Sequence, residues 1–196
     1  MTQQDTRPQI SIVRTLEDLH RAYTVRDIVF IDHQSCPYTE EYDGNDLCAT
    51  HLLASIGATP VGTIRIRYFA GFAKLERLAV LPRHRGGAIA TQLVEAALNL
   101  IRQKGYRRFK LHAQSRYERF WSRWAYRDCE HPPFRFSDHD YVAMSGKIAS
   151  SATHLAACAD PMILNRPEGE WDHPGVLDHS QNRMTSVKDF VSGAAQ

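Results

Sequence analysis

The sequence has no apolar run long enough to span a membrane, and its first nine residues, MTQQDTRPQ, are polar. A soluble cytoplasmic protein is therefore expected, with no secretory leader and no membrane partner. Its four cysteines (Cys36, Cys48, Cys129, Cys158) are scattered and form no CxxC pair, which argues for reduced thiols rather than a disulfide frame. A dense His/Cys ligand motif is also missing, so no metal is expected, although His154 and Cys158 stand four apart and His173 and His179 follow. Neither GxGxxG nor GxxxxGK[ST] occurs, which removes the usual dinucleotide and nucleoside-triphosphate loops. Net charge is small, +2, but unevenly placed. Residues 102–127 hold nine Lys/Arg and one acid, Glu118, whereas the last 49 residues hold three basic against six acidic side chains. That contrast separates a core from a tail, at about residue 148.

What is present centres on residues 74–104, KLERLAVLPRHRGGAIATQLVEAALNLIRQK. The apolar run Leu75, Leu78, Ala79, Val80, Leu81 reads as a strand that Pro82 stops, because proline offers a sheet no amide donor. A basic, glycine-bearing turn follows. Next, Ala90, Leu93, Val94, Ala97, Leu98 and Ile101 recur at spacings of three and four, the period of a helix. Gly105 suits its left-handed C-terminus, and Arg108–Ala113 starts a new strand. Strand, glycine turn, helix and strand make a βαβ unit, and its turn offers free amides to an anion such as pyrophosphate.

Around this unit the sequence predicts further elements. A strand at 10–14 precedes a helix capped by Thr15, with Leu16, Leu19, Tyr23 and Val29 on its apolar side. Residues 31–46 read as a loop or broken helix rich in acids, and 51–56 and 60–68 as paired strands. Ser115 caps an expected helix with one aromatic side (Tyr117, Phe120, Trp121, Trp124) and one arginine side. Two closing strands fall at 127–136 and 140–147. Residues 150–159 suggest a short alanine-rich helix.

The turn Arg85-Gly86-Gly87-Ala88-Ile89-Ala90 resembles the [QR]-x-x-G-x-[GA] loop of the GNAT N-acetyltransferase superfamily. Leu78–Pro82 is similar to that family's entering strand, and residues 120–126 to its F-Y-x-x-x-G-F segment. The resemblance covers about residues 8–148, with 149–196 as a C-terminal extension. It implies an α/β fold whose mixed central sheet is splayed near its middle. It also implies an acetyl-CoA-dependent N-acetyltransferase acting directly on the amine of a small molecule or protein. Leu78, Ala79 and Val80 would align the thioester arm, and Arg83, Arg85 and the amides of Gly86, Gly87, Ala88, Ile89, Ala90 and Thr91 would meet the pyrophosphate. Arg116 would serve the adenosine phosphate, and Trp121 would also contact the cofactor.

Two positions depart from the family pattern. Ala88 stands where glycine is usual. Trp121 takes the place of the usual tyrosine acid; its indole N–H has no usable acidity, so Tyr117, one helical turn earlier, is the alternative proton donor. For the base, Glu76 lies two residues before Leu78 and four before Val80, and strict alternation would place it on their face. An ion pair with Arg65 or Arg67 is the competing reading of Glu76, and His51 and His112 rank below it. The acidic loop, with Glu40, Glu41 and Asp43, together with His112, would receive a cationic acceptor. Three alternatives stay open: a catalytically degenerate CoA sensor or scaffold, a homodimer, and a nucleic-acid module, the last without a recognition motif in the basic run.

Overall fold

The computed structural model describes residues 7–149, 155–156 and 159–180. It divides into two compact units, 1–154 and 155–196. In the first unit a mixed sheet runs in the order β1-β2-β3-β4-β5-β8-β6, with β7 paired to β8. The strands are β1 Gln9–Ile12, β2 Thr50–Ile56, β3 Thr59–Phe69, β4 Phe72–Val80, β5 Arg108–Gln114, β6 Tyr126–Arg127, β7 Phe134–Phe136 and β8 His139–Lys147. Every pairing is antiparallel except β4 with β5, which is parallel because helix α3 (Ile89–Gln103) crosses between them.

That parallel pairing is short. It joins Ala73, Lys74 and Leu75 to Phe109, Lys110 and Leu111 and then stops, although both strands continue. Beyond Leu75 the two strands diverge, and β4 exposes one edge inside the sheet. This opening positions everything described below.

Helix α1 (Leu16–Arg26) and α3 cover opposite faces of the sheet. A methyl group at Gly62 of β3 would sit 3.0 Å from Leu93 and 3.1 Å from Ile89, so α3 approaches as closely as a residue without Cβ allows. The next residue, Thr63, points the other way and pairs with Ala79, which packs with Val25 and Val29 from the α1 side. Thr15 caps α1 as expected, its hydroxyl oxygen accepting from the Asp18 amide. Its buried residues are Ala22, Val25 and Arg26, while Leu16 is exposed. The chain then continues as a π-helical turn, Asp27–Asp32, and a short helix α2, Tyr38–Glu41.

Three expectations need correction. The aromatic segment is not one helix from Ser115 but a 3₁₀ turn, Ser115–Tyr117, followed by a single α turn, α4, Glu118–Trp121. The strand expected at 127–136 is broken into β6 and β7, with Pro132 and Pro133, which cannot donate to a ladder, in the gap. Glycine 71 is a hairpin turn (φ 85°) closing β3 on β4 through the pair Phe69–Phe72, not a linker. The helix expected at 150–159, and with it the His154–Cys158 pair, lies largely outside the described residues. In the second unit, α5 (Pro161–Leu164) is capped by Asp160, and Arg166 is ion-paired to Asp178 at 2.9 Å.

Candidate active site

Strand β4 carries a bulge where the sheet opens. Arg65 pairs with Glu76 but Thr63 pairs with Ala79, so β4 has one extra residue there. Arg77 occupies it with φ 52°, a left-handed conformation that costs a non-glycine residue about 1 kcal/mol or more. The bulge breaks the alternation on which the placement of Glu76 rested. Glu76 shares its face with Lys74 and Ala79, not with Val80, which pairs with Gly62 on the α3 side.

At the far end of β4 the glycine turn leads into α3. Gly86 has φ 81°, and a Cβ on Gly86 or Gly87 would meet nothing within 4 Å. Ala88 is the N-cap residue, and no side chain caps the first turn. The amides of Ile89, Ala90 and Thr91 therefore lack intrahelical acceptors, and the helix dipole adds positive potential where they point. Arg85 folds back so that its Nε donates to the Val80 carbonyl at 2.9 Å. Arg83 is exposed and turned toward His84.

One cavity of about 530 Å³ connects these parts. It runs from Arg85 and Ala90, along β4 between Lys74 and Val80, past His112 and Gln114 on β5, to the α2 and β7–β8 segments. Tyr117 and Trp121 both line it, Tyr117 exposed and Trp121 buried against Phe120. Arg116 stays outside the lining, its Nε donating to the Gln114 side-chain oxygen at 2.8 Å and its guanidinium 4.9 Å from the Tyr117 ring.

The acidic loop does not present the free negative charge expected of it. Glu41 is buried between Arg26 at 2.5 Å and Arg77 at 2.9 Å. Asp43 takes two donors from Arg65, at 2.7 and 2.8 Å, and lies 3.3 Å from Arg77. Asp46 lies between Arg26 at 2.6 Å and Arg65 at 2.9 Å. Four carboxylates, Glu41, Asp43, Asp46 and Glu76, thus face five cations, Arg26, Arg65, Arg67, Lys74 and Arg77. Glu40 differs. Its carboxylate accepts from the Ser137 hydroxyl and has no cation partner among the described residues.

Glu76 is ion-paired, with Arg65 and Lys74 both at 2.8 Å and Arg67 at 3.8 Å. Burial alone would raise its pKa, but the Lys74 and Arg65 charges outweigh burial and lower it, so Glu76 is a permanent anion of reduced basicity. His112 is pulled down to about 4 by desolvation and by Lys74. Its ring is open to the cavity, and it is neutral at pH 7. His51 is buried with Nε2 3.1 Å from the Asp46 carbonyl, which makes it part of the loop's support.

Sequence reasoning missed Arg77, Arg26 and the far wall of Phe136 and Tyr141. An arginine in a strand carries no mark of a bulge. Arg26 follows the buried Val25 and reads as the solvated end of a helix.

A bulged central strand, a splay beside it and an uncapped helix N-terminus opening into the same cavity define an acyl-CoA-type transferase architecture. The comparisons agree. The sequence model of the Acetyltransferase (GNAT) family matches residues 13–138, and the chain belongs to that family. A candidate acetyltransferase of Bacillus subtilis (strain 168), BSU40680, is 34% identical over 114 residues, covering 57% of this chain and 78% of that protein. A crystal structure of a candidate N-acetyltransferase from Lactobacillus plantarum superposes with TM-score 0.68 at 19% identity, over 72% of this chain and 99% of the other. The PaiA N-acetyltransferase from Thermoplasma acidophilum, crystallised with coenzyme A, superposes with TM-score 0.53 at 18% identity, over 71% and 99%. Among the described residues, no helix is long and apolar enough to cross a membrane.

Proposed function

We propose that this protein transfers an acetyl group from acetyl-CoA directly to an amine. The observation that carries the reading is the single cavity joining the uncapped N-terminus of α3 to the open edge of β4. The residues present suit the donor. The space over Gly86 and Gly87 is open, the first-turn amides of α3 need acceptors, and Arg83 and Arg85 add charge for a pyrophosphate. A thioester lying along Leu78–Val80 would meet a strand edge with no neighbouring strand on the β5 side. Arg116 would approach the adenosine phosphate from outside.

Acetyl-CoA supplies an activated acyl carbon and a thiolate leaving group. An acceptor that enters as an ammonium first gives one proton to solvent. The neutral amine then attacks that carbon, a C–N bond forms and the C–S bond breaks, the nitrogen giving up a second proton and the thiolate taking one. Backbone amides at the bulge stabilise the oxyanion. Glu76, held ionised, takes the amine proton through water and passes it on, since its lowered proton affinity prevents retention. Tyr117 is the hydroxyl on the cavity wall nearest in sequence to Trp121 and supplies the thiolate's proton. Acetyl-CoA incubated with a panel of amines and the purified protein should release free thiol in proportion to the amine acetylated. Acetyl-CoA binding without thiol release on any amine would instead favour a CoA sensor, the reading that Trp121 motivates.

A further inference from the structure

The acceptor end of the cavity says which amine. We infer that the acceptor is a primary amine attached to a flat aromatic body and lacking a carboxylate; the inference rests on the acetyl-transfer reading above.

The charges of the wall carry the first half of the argument. Of its acidic side chains, Glu41, Asp43 and Glu76 are held by arginine or lysine. Glu40 alone keeps an uncompensated negative charge, and it sits where α2 meets the β7–β8 turn. The wall's cations are engaged in the same way. Lys74 is 2.8 Å from Glu76, Arg77 is 2.9 Å from Glu41, and Arg85 donates to Val80 at the donor end. An incoming ammonium therefore finds one free carboxylate. An incoming carboxylate finds only cations already paired, and would meet Glu40 as a like charge.

The second half is the shape and chemistry of the facing wall. Phe136 lies flat on Tyr141, ring centroids 3.7 Å apart and planes 12° apart, with the Phe134 ring nearly parallel beside both, 5.8 Å from Phe136 and 6.1 Å from Tyr141. Phe136 remains 39% exposed. The polar side chain that lines the cavity beside this wall, Gln114, is uncharged and satisfied: its amide donates to Gln34 at 2.9 Å and to the Tyr141 hydroxyl at 3.2 Å, and its oxygen accepts from Arg116, which stays outside the lining. A flat ring gains a further stacking layer there, and the ammonium it carries gains both Glu40 and the negative face of an aromatic ring. Hydrated polyamines gain little from that wall, and one carboxylate serves only one of their charges.

Two pairs of small amines test this. Phenethylamine and phenylalanine differ by the carboxylate alone; phenethylamine and ethylamine differ by the ring. With acetyl-CoA saturating, kcat/KM for phenethylamine should exceed each comparison by at least about tenfold, the discrimination expected of a pocket that reads one group. Glu40→Gln and Phe136→Ala should each raise the KM for phenethylamine by about tenfold while the Kd for acetyl-CoA stays put. Equal or better use of phenylalanine, ethylamine or spermidine would overturn the inference. If no amine is acetylated, the transferase reading fails separately. Calorimetric titration of phenethylamine into the CoA-saturated protein then decides the acceptor: binding that Glu40→Gln abolishes supports it, and no binding overturns it.

Discussion

The Arg77 guanidinium stands 2.9 Å from the Glu41 carboxylate, so the bulged residue of the central strand is tied to the loop on the acceptor side of the cavity. The same side chain donates to the Glu40 carbonyl at 2.7 Å and to the Glu41 carbonyl at 3.2 Å. Its backbone is held in a left-handed conformation at the point where β4 leaves its neighbour. One residue thus sets both the strand edge that would meet the donor and the loop that would meet the acceptor.

Arg77→Gly separates these two jobs. Glycine adopts φ 52° without penalty, so the bulge should survive while the tether is lost. Hydrogen exchange across residues 38–46 should accelerate, and acceptor KM should rise by about tenfold, with acetyl-CoA affinity little changed. Equal loss of both affinities would mean that Arg77 maintains the fold and positions nothing.

The buried charge cluster fixes how stability responds to pH. Desolvation raises the pKa of the buried Asp46 and, less completely, of the more exposed Asp43, but bonds from Arg26 and Arg65 outweigh it and lower both; Glu76 behaves in the same way. A carboxylate lowered on folding contributes stability above its unfolded pKa, and that contribution disappears as pH falls toward the folded value. Burial likewise lowers the pKa of His51, whose contribution begins to fade below about pH 6.5. Glu41 works the opposite way, since burial pushes it up against Arg26 and Arg77. Denaturation midpoints should therefore decline gently below about pH 6.5 and steeply below about pH 4. Arg65→Met should cost about 2–3 kcal/mol at neutral pH, because it strips one charged partner from the buried Asp46 and Glu76, which are left with Arg26 and Lys74 close by. A flat profile between pH 7 and pH 3 would contradict this account of the cluster.

Glu76 has two jobs that one substitution can distinguish. As the proton acceptor, Glu76→Gln should lower turnover by about two decades, the low end for general-base loss given its reduced basicity. The acidic limb of the pH–rate profile should change with it. A stability loss with the profile unchanged would leave Glu76 as the partner of Arg65 and Lys74 only.

Tyr117 and Trp121 should behave as a coupled pair. If Tyr117 protonates the leaving thiolate, Tyr117→Phe lowers kcat in the native protein and lowers it less in a Trp121→Tyr background, where a second hydroxyl lines the cavity. Trp121→Tyr alone should preserve or increase turnover. Equal losses in both backgrounds would show that Tyr117 packs or binds but moves no proton.

Much of the fold is legible in the sequence because helical and strand periods are local. Residues 75–113 show a strand, a turn, a helix and a strand before any contact is known, and the glycines at 86 and 87 mark the turn that leads into α3. The bulge at Arg77 is not legible. It is a property of pairing between β3 and β4, and it moves Glu76 relative to Val80 against simple alternation. The neutralisation of the acidic loop is equally hidden, since it depends on Arg26 and Arg65 folding onto it from the helix before and the strand after, 15 to 22 residues from the carboxylates they hold. Trp121 is different again: its departure from tyrosine is visible in the sequence, but its place in the cavity wall beside Tyr117 is visible only in three dimensions.

The central claim is that the turn at Gly86 and the N-terminus of α3 hold the donor's pyrophosphate. Calorimetric titration of acetyl-CoA into Gly86→Asp and Gly86→Asn tests it most directly. Both residues tolerate a left-handed backbone better than most, and the open space around Gly86 accommodates either. Only aspartate brings a like charge to the phosphates. The account predicts folded proteins by circular dichroism, with affinity lost by at least about a hundredfold in Gly86→Asp and largely kept in Gly86→Asn. Unchanged affinity in a folded Gly86→Asp protein would contradict it.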